Sequence, residues 1–408
     1  MNNFGTLVGF EYKKILYKKS VIIAIVLAFA ITIFACFAMV IGNGNTQGDY
    51  YTDGMSNYES MQLDQSYGKA LSGRELDSEL ILEASRAYQK IDRNVTPYFI
   101  TEGYQKYARP YSSVYTLIDS AYAHSGNAFN VDDFRNLSEE DASNYYTIRE
   151  KQLRENLTNH PLWSSSDVDK VLELDKDVQK PFIMEYTDGY NRFFGLSITT
   201  MMAVLFLISF MISPIFSGEY SEHTDSLILT AKNGKKSLIY AKIFTSISIS
   251  FVMTLIFTLS TYFTCMGIYG FDGTHAQIQL IIPLLTYDFT LLETTVILIM
   301  TSLLGAILHT TICIAISAVS KKTIMPMAIS SILIVAGMFG GLKISFFEKA
   351  RYFLPLTMGS FYDMITQLIV DFFGIDLPLY QAICIVSIII SILLSFISFK
   401  AFRNHQVS

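Results

Sequence analysis

What this chain of 408 residues has little of narrows its class first. Only 16% of its residues are charged, against 51% that are hydrophobic, and the mean hydropathy is +0.36. That balance excludes an ordinary soluble globular protein of this size. The four cysteines, Cys36, Cys265, Cys313 and Cys384, all lie inside apolar runs. This placement excludes a disulfide-stapled outer domain and offers no Cys/His spacing for zinc. His, Asp and Glu are nearly missing from the same runs. His309 sits within one, and Asp288 and Glu293 lie at its mouth. Acid–base or metal chemistry at membrane depth needs several such groups to converge, and an ion-coupled transporter needs sites for its ion. The HExxH and GxSxG patterns are absent too. Gly234-Lys235-Lys236-Ser237 looks like the end of a phosphate loop. That motif requires another Gly five positions earlier, and position 229 is Leu. The expectation is a chain with no catalytic residue, no metal and no cofactor of its own, with His309 bonding one helix to another.

What is present is apolar sequence in long runs. Crossing about 30 Å of hydrocarbon takes roughly 20 residues of helix, and such runs cover 20–42, 193–216, 238–268, 291–319, 323–341 and 379–399. Backbone in lipid satisfies its own hydrogen bonds only as helix or closed barrel, so the fold class is an all-α polytopic membrane protein with six transmembrane helices. The first run is too long for a signal peptide and reads as an uncleaved anchor. Lys13, Lys14, Lys18 and Lys19, then Lys232, Lys235, Lys236 and Lys242, then Lys321 and Lys322, then Lys400 and Arg403 fall on one side of the spans. The positive-inside rule makes that side cytoplasmic, with both termini on it. Residues 43–191 hold 25 Asp and Glu against 14 Lys and Arg, and 15 of the 25 tyrosines. They form a mainly helical extracellular domain, in which Ser72 is the expected cap of a helix carrying Leu76, Leu80, Leu82, Ala87 and Ile91 on one face. Tyrosine couples an apolar body to a polar tip, which suits either a half-buried core or a surface for an amphipathic ligand.

Three further segments carry patterning. In residues 1–19, Phe4, Leu7, Val8, Tyr12 and Ile15 recur at helical spacing, with Glu11, Lys13, Lys14 and Lys18 elsewhere on the surface. This describes an amphipathic interfacial helix on the bilayer. Residues 343–378 are apolar but broken by Pro355, Gly359, Gly374 and Pro378, which fits an outer re-entrant hairpin before the last span. The polar island 218–237 predicts a short helix from Tyr220 to Ala231, with Ser221 or Thr224 as cap and Asn233-Gly234 as its left-handed stop. Leu227, Ile228 and Ala231 then make an apolar patch suited to docking.

The leading helix with Glu11-Tyr12-Lys13-Lys14, the second span closing on SPIFSGEYSEHTDSLILTAKNGKKSLIYAKI and the broken hairpin before the last span together resemble the type-2 ATP-binding-cassette (ABC-2) permeases. In that family a Glu ends the second span, a coupling helix follows and a Lys opens the third span; Glu219, residues 220–231 and Lys242 take those places. The resemblance implies a bacterial exporter subunit in the plasma membrane. Cytoplasmic ABC ATPase subunits would contact Glu219, Tyr220, His223, Thr224, Leu227 and Ile228, and would hold the ATP and Mg2+. A second permease, identical or different, would complete the pathway, and no nucleic-acid partner is implied. The large outer domain suggests a peptide-handling branch and an amphipathic substrate such as an antimicrobial peptide or a drug. The alternative is a membrane sensor whose outer domain binds a ligand and signals inward.

Overall fold

The computed structural model describes residues 3–41, 55–92, 94–123, 129–224, 236–339 and 345–404. Helix α1 (Asn3–Leu16) leads into α2 (Lys19–Phe37), whose sequence is apolar on every side. The chain then enters a helical lobe of α3 (Asn57–Leu71), α4 (Ser78–Tyr88), α5 (Ser112–Tyr122), α6 (Val131–Arg135), α7 (Glu139–Ser143), α8 (Tyr145–Asn159) and α9 (Ser165–Leu174). From the lobe, α10 (Asp188–Ile212) runs back beside α2 and continues after a break at Ser213 as α11 (Pro214–Ser221). Then come α12 (Ser237–Tyr269), α13 (Leu291–Val319) and α14 (Ile324–Met338). Short α15 (Ser345–Arg351), α16 (Pro355–Met358) and α17 (Phe361–Met364) precede a β-hairpin of β1 (Ile369–Phe372) and β2 (Ile375–Pro378), and α18 (Leu379–Arg403) closes the chain.

Among the described residues, five helical stretches are long and apolar enough to cross a membrane: α2, α10 with α11, α12, α13 and α18. The expected span 323–341 is the exception. Its helix, α14, has 15 residues, roughly 22 Å at 1.5 Å per residue and short of the hydrocarbon thickness. Beyond it the chain does not cross as one helix. The turn of α16 packs instead where α13 is halfway along: a Cβ on Gly305 would lie 2.8 Å from the Pro355 carbonyl oxygen and 3.1 Å from the Met358 Cβ. Gly337 at the end of α14 faces Leu356, and Gly359 faces Met201, midway along α10. Within 343–378, expected as an outer re-entrant hairpin, the described residues 345–378 form short helices followed by antiparallel strands in the register Ile369↔Pro378 to Phe372↔Ile375. The strand residues are partly exposed and a left-handed Phe373-Gly374 turn joins them, a local preference that apolar content does not reveal.

α2 and α12 run away from the end of the bundle where α1 lies, and α10, α13 and α18 run back toward it, so α1 and the end of α18 lie at one end of the bundle, here called the terminal end. Phe402 packs on Phe216 and Tyr220 there. The lobe sits at the other end, built on the tyrosine-rich core of α4, α5, α6 and α8. Its α4 starts at Ser78 with Asp77 as the cap, accepting from Leu80 N at 2.9 Å. The expected cap, Ser72, ends α3 instead. Leu76, Leu80, Ala87 and Ile91 are buried as their spacing predicted, and Leu82 is partly so. Arg149 fixes the lobe to the bundle. Its fully buried guanidinium reaches Asp175 at 2.8 and 2.9 Å and the carbonyls of Pro283 and Leu285, in the α12–α13 connection, at 2.7 and 3.0 Å. Trp163 adds a bond to the Gln367 carbonyl at 2.9 Å, and Lys170 pairs with Asp376 at 2.7 Å.

Candidate functional site: a buried charge cluster at the terminal end

The second span carries its functional residues past a helix break. Pro214 has no N–H to continue the α10 ladder, and the N–H groups of Phe216 and Ser217 donate to Ser317 Oγ of α13 at 3.1 and 3.0 Å. Ser317 Oγ in turn donates to the Ser213 carbonyl at 2.6 Å. One hydroxyl therefore satisfies the break and sets the direction of α11. Higher in the same pair of helices, Ser209 Oγ meets His309 Nε2 at 2.7 Å, the helix-to-helix bond expected of that histidine.

α11 delivers Glu219 into contact with two other elements. Lys242, near the start of α12, is fully buried, and its Nζ donates to Glu219 Oε1 at 2.7 Å and to Glu11 Oε2 of α1 at 3.1 Å. Lys14 Nζ, on the accessible side of α1, donates to Glu219 Oε1 at 2.6 Å. Thr224 Oγ1 donates to Glu219 Oε2 at 2.5 Å. Two carboxylates and two ammonium groups thus balance, which burial of Lys242 requires, since an unpaired ammonium in an apolar setting is strongly disfavoured. Tyr12 and Ser248 add a hydroxyl pair at 2.5 Å between α1 and α12. The cluster binds three separate helices at one point.

This geometry revises several expectations. Glu11 was placed on the outward surface of α1; it is 5% exposed and faces inward, because the buried Lys242 needs a second counter-charge. Phe4 is exposed and packs edge-on to Phe244 of α12 at 6.2 Å, while Leu7 and Val8 are half-buried. α11 ends at Ser221 and His223, at φ 55°, turns the chain in the left-handed conformation, so Tyr220 and Ser221 belong to the end of the second span; residues 225–231 of the expected helix lie outside the described residues. Ser221 Oγ donates back to the Gly218 carbonyl and Thr224 Oγ1 to Glu219; the helix that either was expected to cap lies outside the described residues. Tyr220 is buried, its hydroxyl donating to the Ala318 carbonyl at 2.9 Å. Glu219 and Tyr220 therefore frame the surface, whereas Ser221, Glu222 and His223 are exposed on it. Leu227, Ile228 and the stop at Asn233-Gly234 lie outside the described residues. Lys14 and Ser317 were missed as partners. The i, i+3 spacing from Glu11 hinted at Lys14; nothing local hinted at Ser317.

Residues 18–399 match the family described as ABC-2 family transporter protein. The chain belongs to that family. Neither a curated protein nor a solved structure matches it. The family match begins at Lys18, so the membrane helices, the lobe and the Glu219–Lys242 contact of this ABC-2 transporter chain fall within it, whereas Glu11 and Lys14 on α1 lie before it. An ABC-2 membrane component is a transport subunit of a multi-pass kind, in keeping with the five long apolar helices.

Proposed function

We propose that the chain is the permease half of an exporter driven by separate cytoplasmic ABC ATPase subunits, which hold the ATP and Mg2+. In this reading the chain sits in a bacterial plasma membrane, and the Lys and Arg bias supports both termini and the 218–237 loop in the cytoplasm with the lobe outside. A second permease copy, or a different permease, completes the pathway. The α16–α17 turn against the middle of α10 and α13 supports a re-entrant segment reaching the membrane interior from outside.

The observation that carries the reading is the cluster of buried Glu219, Lys242 and Glu11, joined from the surface by Lys14. It ties α1, α11 and α12 at the root of the polar loop. A push on that loop, or on the exposed Glu222 and His223, moves three helices rather than a loop alone. ATP-dependent closure of two ATPase subunits has such a push to deliver, and the chemistry stays in the partner. The substrate we assign is an amphipathic molecule, such as an antimicrobial peptide or a drug, from the tyrosine-rich lobe.

The test is reconstitution with the ATPase subunit. Leu227→Asp should abolish co-purification or stimulated turnover through lost docking, and Glu219→Ala should lower stimulated turnover through the frame, with membrane insertion intact in both. Normal stimulation in both variants would overturn the docking assignment. Turnover that ignores amphipathic peptides and responds to Na+ or a lipid-linked sugar would overturn the substrate class.

A further inference from the structure

Where the lobe meets the ends of the spans there is a cavity of about 350 Å3, at the small end for ligand pockets. Met39 beyond α2, Asp188 at the start of α10 and Tyr269 at the end of α12 border it from the bundle. Asp64 of α3 and the α4–α5 connection border it from the lobe. The two sides are joined beside it by Gln65 Nε2, which donates to the Tyr269 carbonyl at 2.8 Å.

The charged side chains lining the cavity are Asp64, Asp188 and Arg109. Arg109 is 6% exposed and already matched. Its Nε and Nη2 donate to the two Asp64 oxygens at 2.6 and 2.8 Å, Nη1 to Gln105 Oε1 at 2.7 Å and Nη2 to Ser60 Oγ at 2.6 Å. Asp64 therefore neutralises Arg109, and Asp188 is left over. Among the described residues no Lys or Arg forms an ion pair with Asp188, and the charge that acts on it is Asp64, a repulsion. The cavity thus carries one net negative charge. Both carboxylate residues keep accessible surface: the Asp64 side chain is 42% exposed and Asp188 is half-buried. Aromatic rings add to the wall. The Tyr98 ring meets Phe99 at 5.8 Å and 71° and Tyr104 at 5.5 Å and 70° between centroids, so both stand steeply to it, and all three are partly exposed. Ring faces attract an organic cation. A metal ion needs several oxygen or nitrogen ligands, and the described residues hold no group of three or more His, Cys, Asp and Glu to supply them. An anion would meet the unbalanced carboxylate, with the Arg109 donors already engaged. We propose that this cavity binds an organic monocation, a protonated amine or quaternary ammonium on an apolar body. Its charge offsets Asp188, and its body lies against Tyr98, Phe99 and Tyr104. This narrows the amphipathic class assigned above, and rests on that reading only for a role in transport.

Calorimetry on the full-length chain in maltoside detergent, with no ATPase subunit present, tests binding apart from transport. Its failure leaves the coupling reading standing, and failed coupling leaves this one standing. The probes are benzyltrimethylammonium and benzylamine, with benzyl alcohol as the uncharged counterpart and dihexanoyl-phosphatidylethanolamine as a lipid headgroup bearing an ammonium. Both cations should bind at least about tenfold more tightly than benzyl alcohol, as the gain of a charge partner and ring contact implies. Asp188→Asn should remove most of that difference and leave benzyl alcohol unchanged, and Tyr98→Leu should weaken benzyltrimethylammonium several-fold. If Asp188→Asn fails to fold, Met39→Lys decides, because this exposed position would then hold a fixed ammonium at the cavity and should exclude both cations. A lipid that binds more tightly than benzylamine identifies a headgroup as the source, and the reverse order a free amine. Equal binding of cations and alcohol, no cation binding at millimolar concentration, or cation affinity unmoved by these variants overturns the proposal.

Discussion

Lys242 and Lys14 reach the same Glu219 oxygen, but only Lys242 is buried. Removing Lys242 as Lys242→Ala leaves Glu11 and Glu219 facing each other inside the protein. A loss of roughly 3–5 kcal/mol is expected for a broken buried pair, seen as a sharp fall in the thermal midpoint of the solubilised protein. The Lys14 side chain is 42% exposed, and water screens its share, so Lys14→Ala should cost no more than about 1 kcal/mol. Equal losses in the two variants would contradict the burial argument. In the lobe, Tyr146 donates to the Leu76 carbonyl at 3.0 Å and accepts from Phe182 N at 2.7 Å. Burial pushes its phenol up to about 12. Because the folded value is raised above the ordinary 10, its contribution is complete below pH 10 and lost as the pH climbs from 10 to 12. Alkaline denaturation of the lobe should therefore steepen in that window, and Tyr146→Phe should flatten part of the slope.

Local chemistry decided which helices could be read in advance. The run 291–319 coincides with α13, because Thr290 and Glu293 form a capping box that fixes where the helix starts. The polar island was harder. His223 takes the left-handed conformation after α11, beside the bond of Thr224 to Glu219, and Glu219 is placed by its pairing with Lys242 and Lys14, contacts that no local pattern announces. Over the fifth apolar run the described helix is shorter than the run, and hydropathy alone does not say how far a helix continues before a turn such as the one lodged beside Gly305. That glycine is where the shortened α14 and the α16 turn can be tested. A Cβ there would meet the Pro355 backbone at 2.8 Å, which a flexible side chain cannot relieve. Gly305→Val should displace Pro355–Met358 and expose this segment to water-soluble cysteine labelling at a Thr357→Cys site, while α13 itself stays helical. Unchanged labelling would mean that the turn is not held by this contact. The break in the second span gives a parallel case. Ser317→Ala leaves the N–H groups of Phe216 and Ser217 without their acceptor, at about 1–3 kcal/mol for each unmet group, and should let α11 swing away from α13.

The charge cluster and the lobe lie at opposite ends of the same bundle, so whatever the chain does at one end reaches the other through α10, α12 and α13. The acidic, tyrosine-rich composition of 43–191 announced a separate lobe, but not that it would be bolted to the α12–α13 connection. That fixture depends on Arg149, more than a hundred residues from Pro283 and Leu285 in the chain, a separation over which no periodicity in sequence informs. If the lobe moves with the bundle as one body, Arg149 is where the two are coupled. Arg149→Met keeps much of the side-chain volume and removes every polar contact. Asp175 keeps Lys180 at 2.8 Å as its counter-ion, so the substitution leaves no buried carboxylate unpaired. The lost bonds to the Pro283 and Leu285 carbonyls, each charge-assisted and of order 1.5–3 kcal/mol, should open the connection. Hydrogen exchange at Gln279–Tyr287 should then accelerate by about tenfold or more. The core of α4 and α5 should keep its protection, since it has its own apolar cluster. Acceleration spread evenly over the lobe would instead mean that Arg149 supports the fold of the lobe rather than its attachment. In the reconstituted transporter, loosened attachment should uncouple any lobe ligand from ATPase turnover while leaving basal turnover and the Glu219–Lys242 junction as they are.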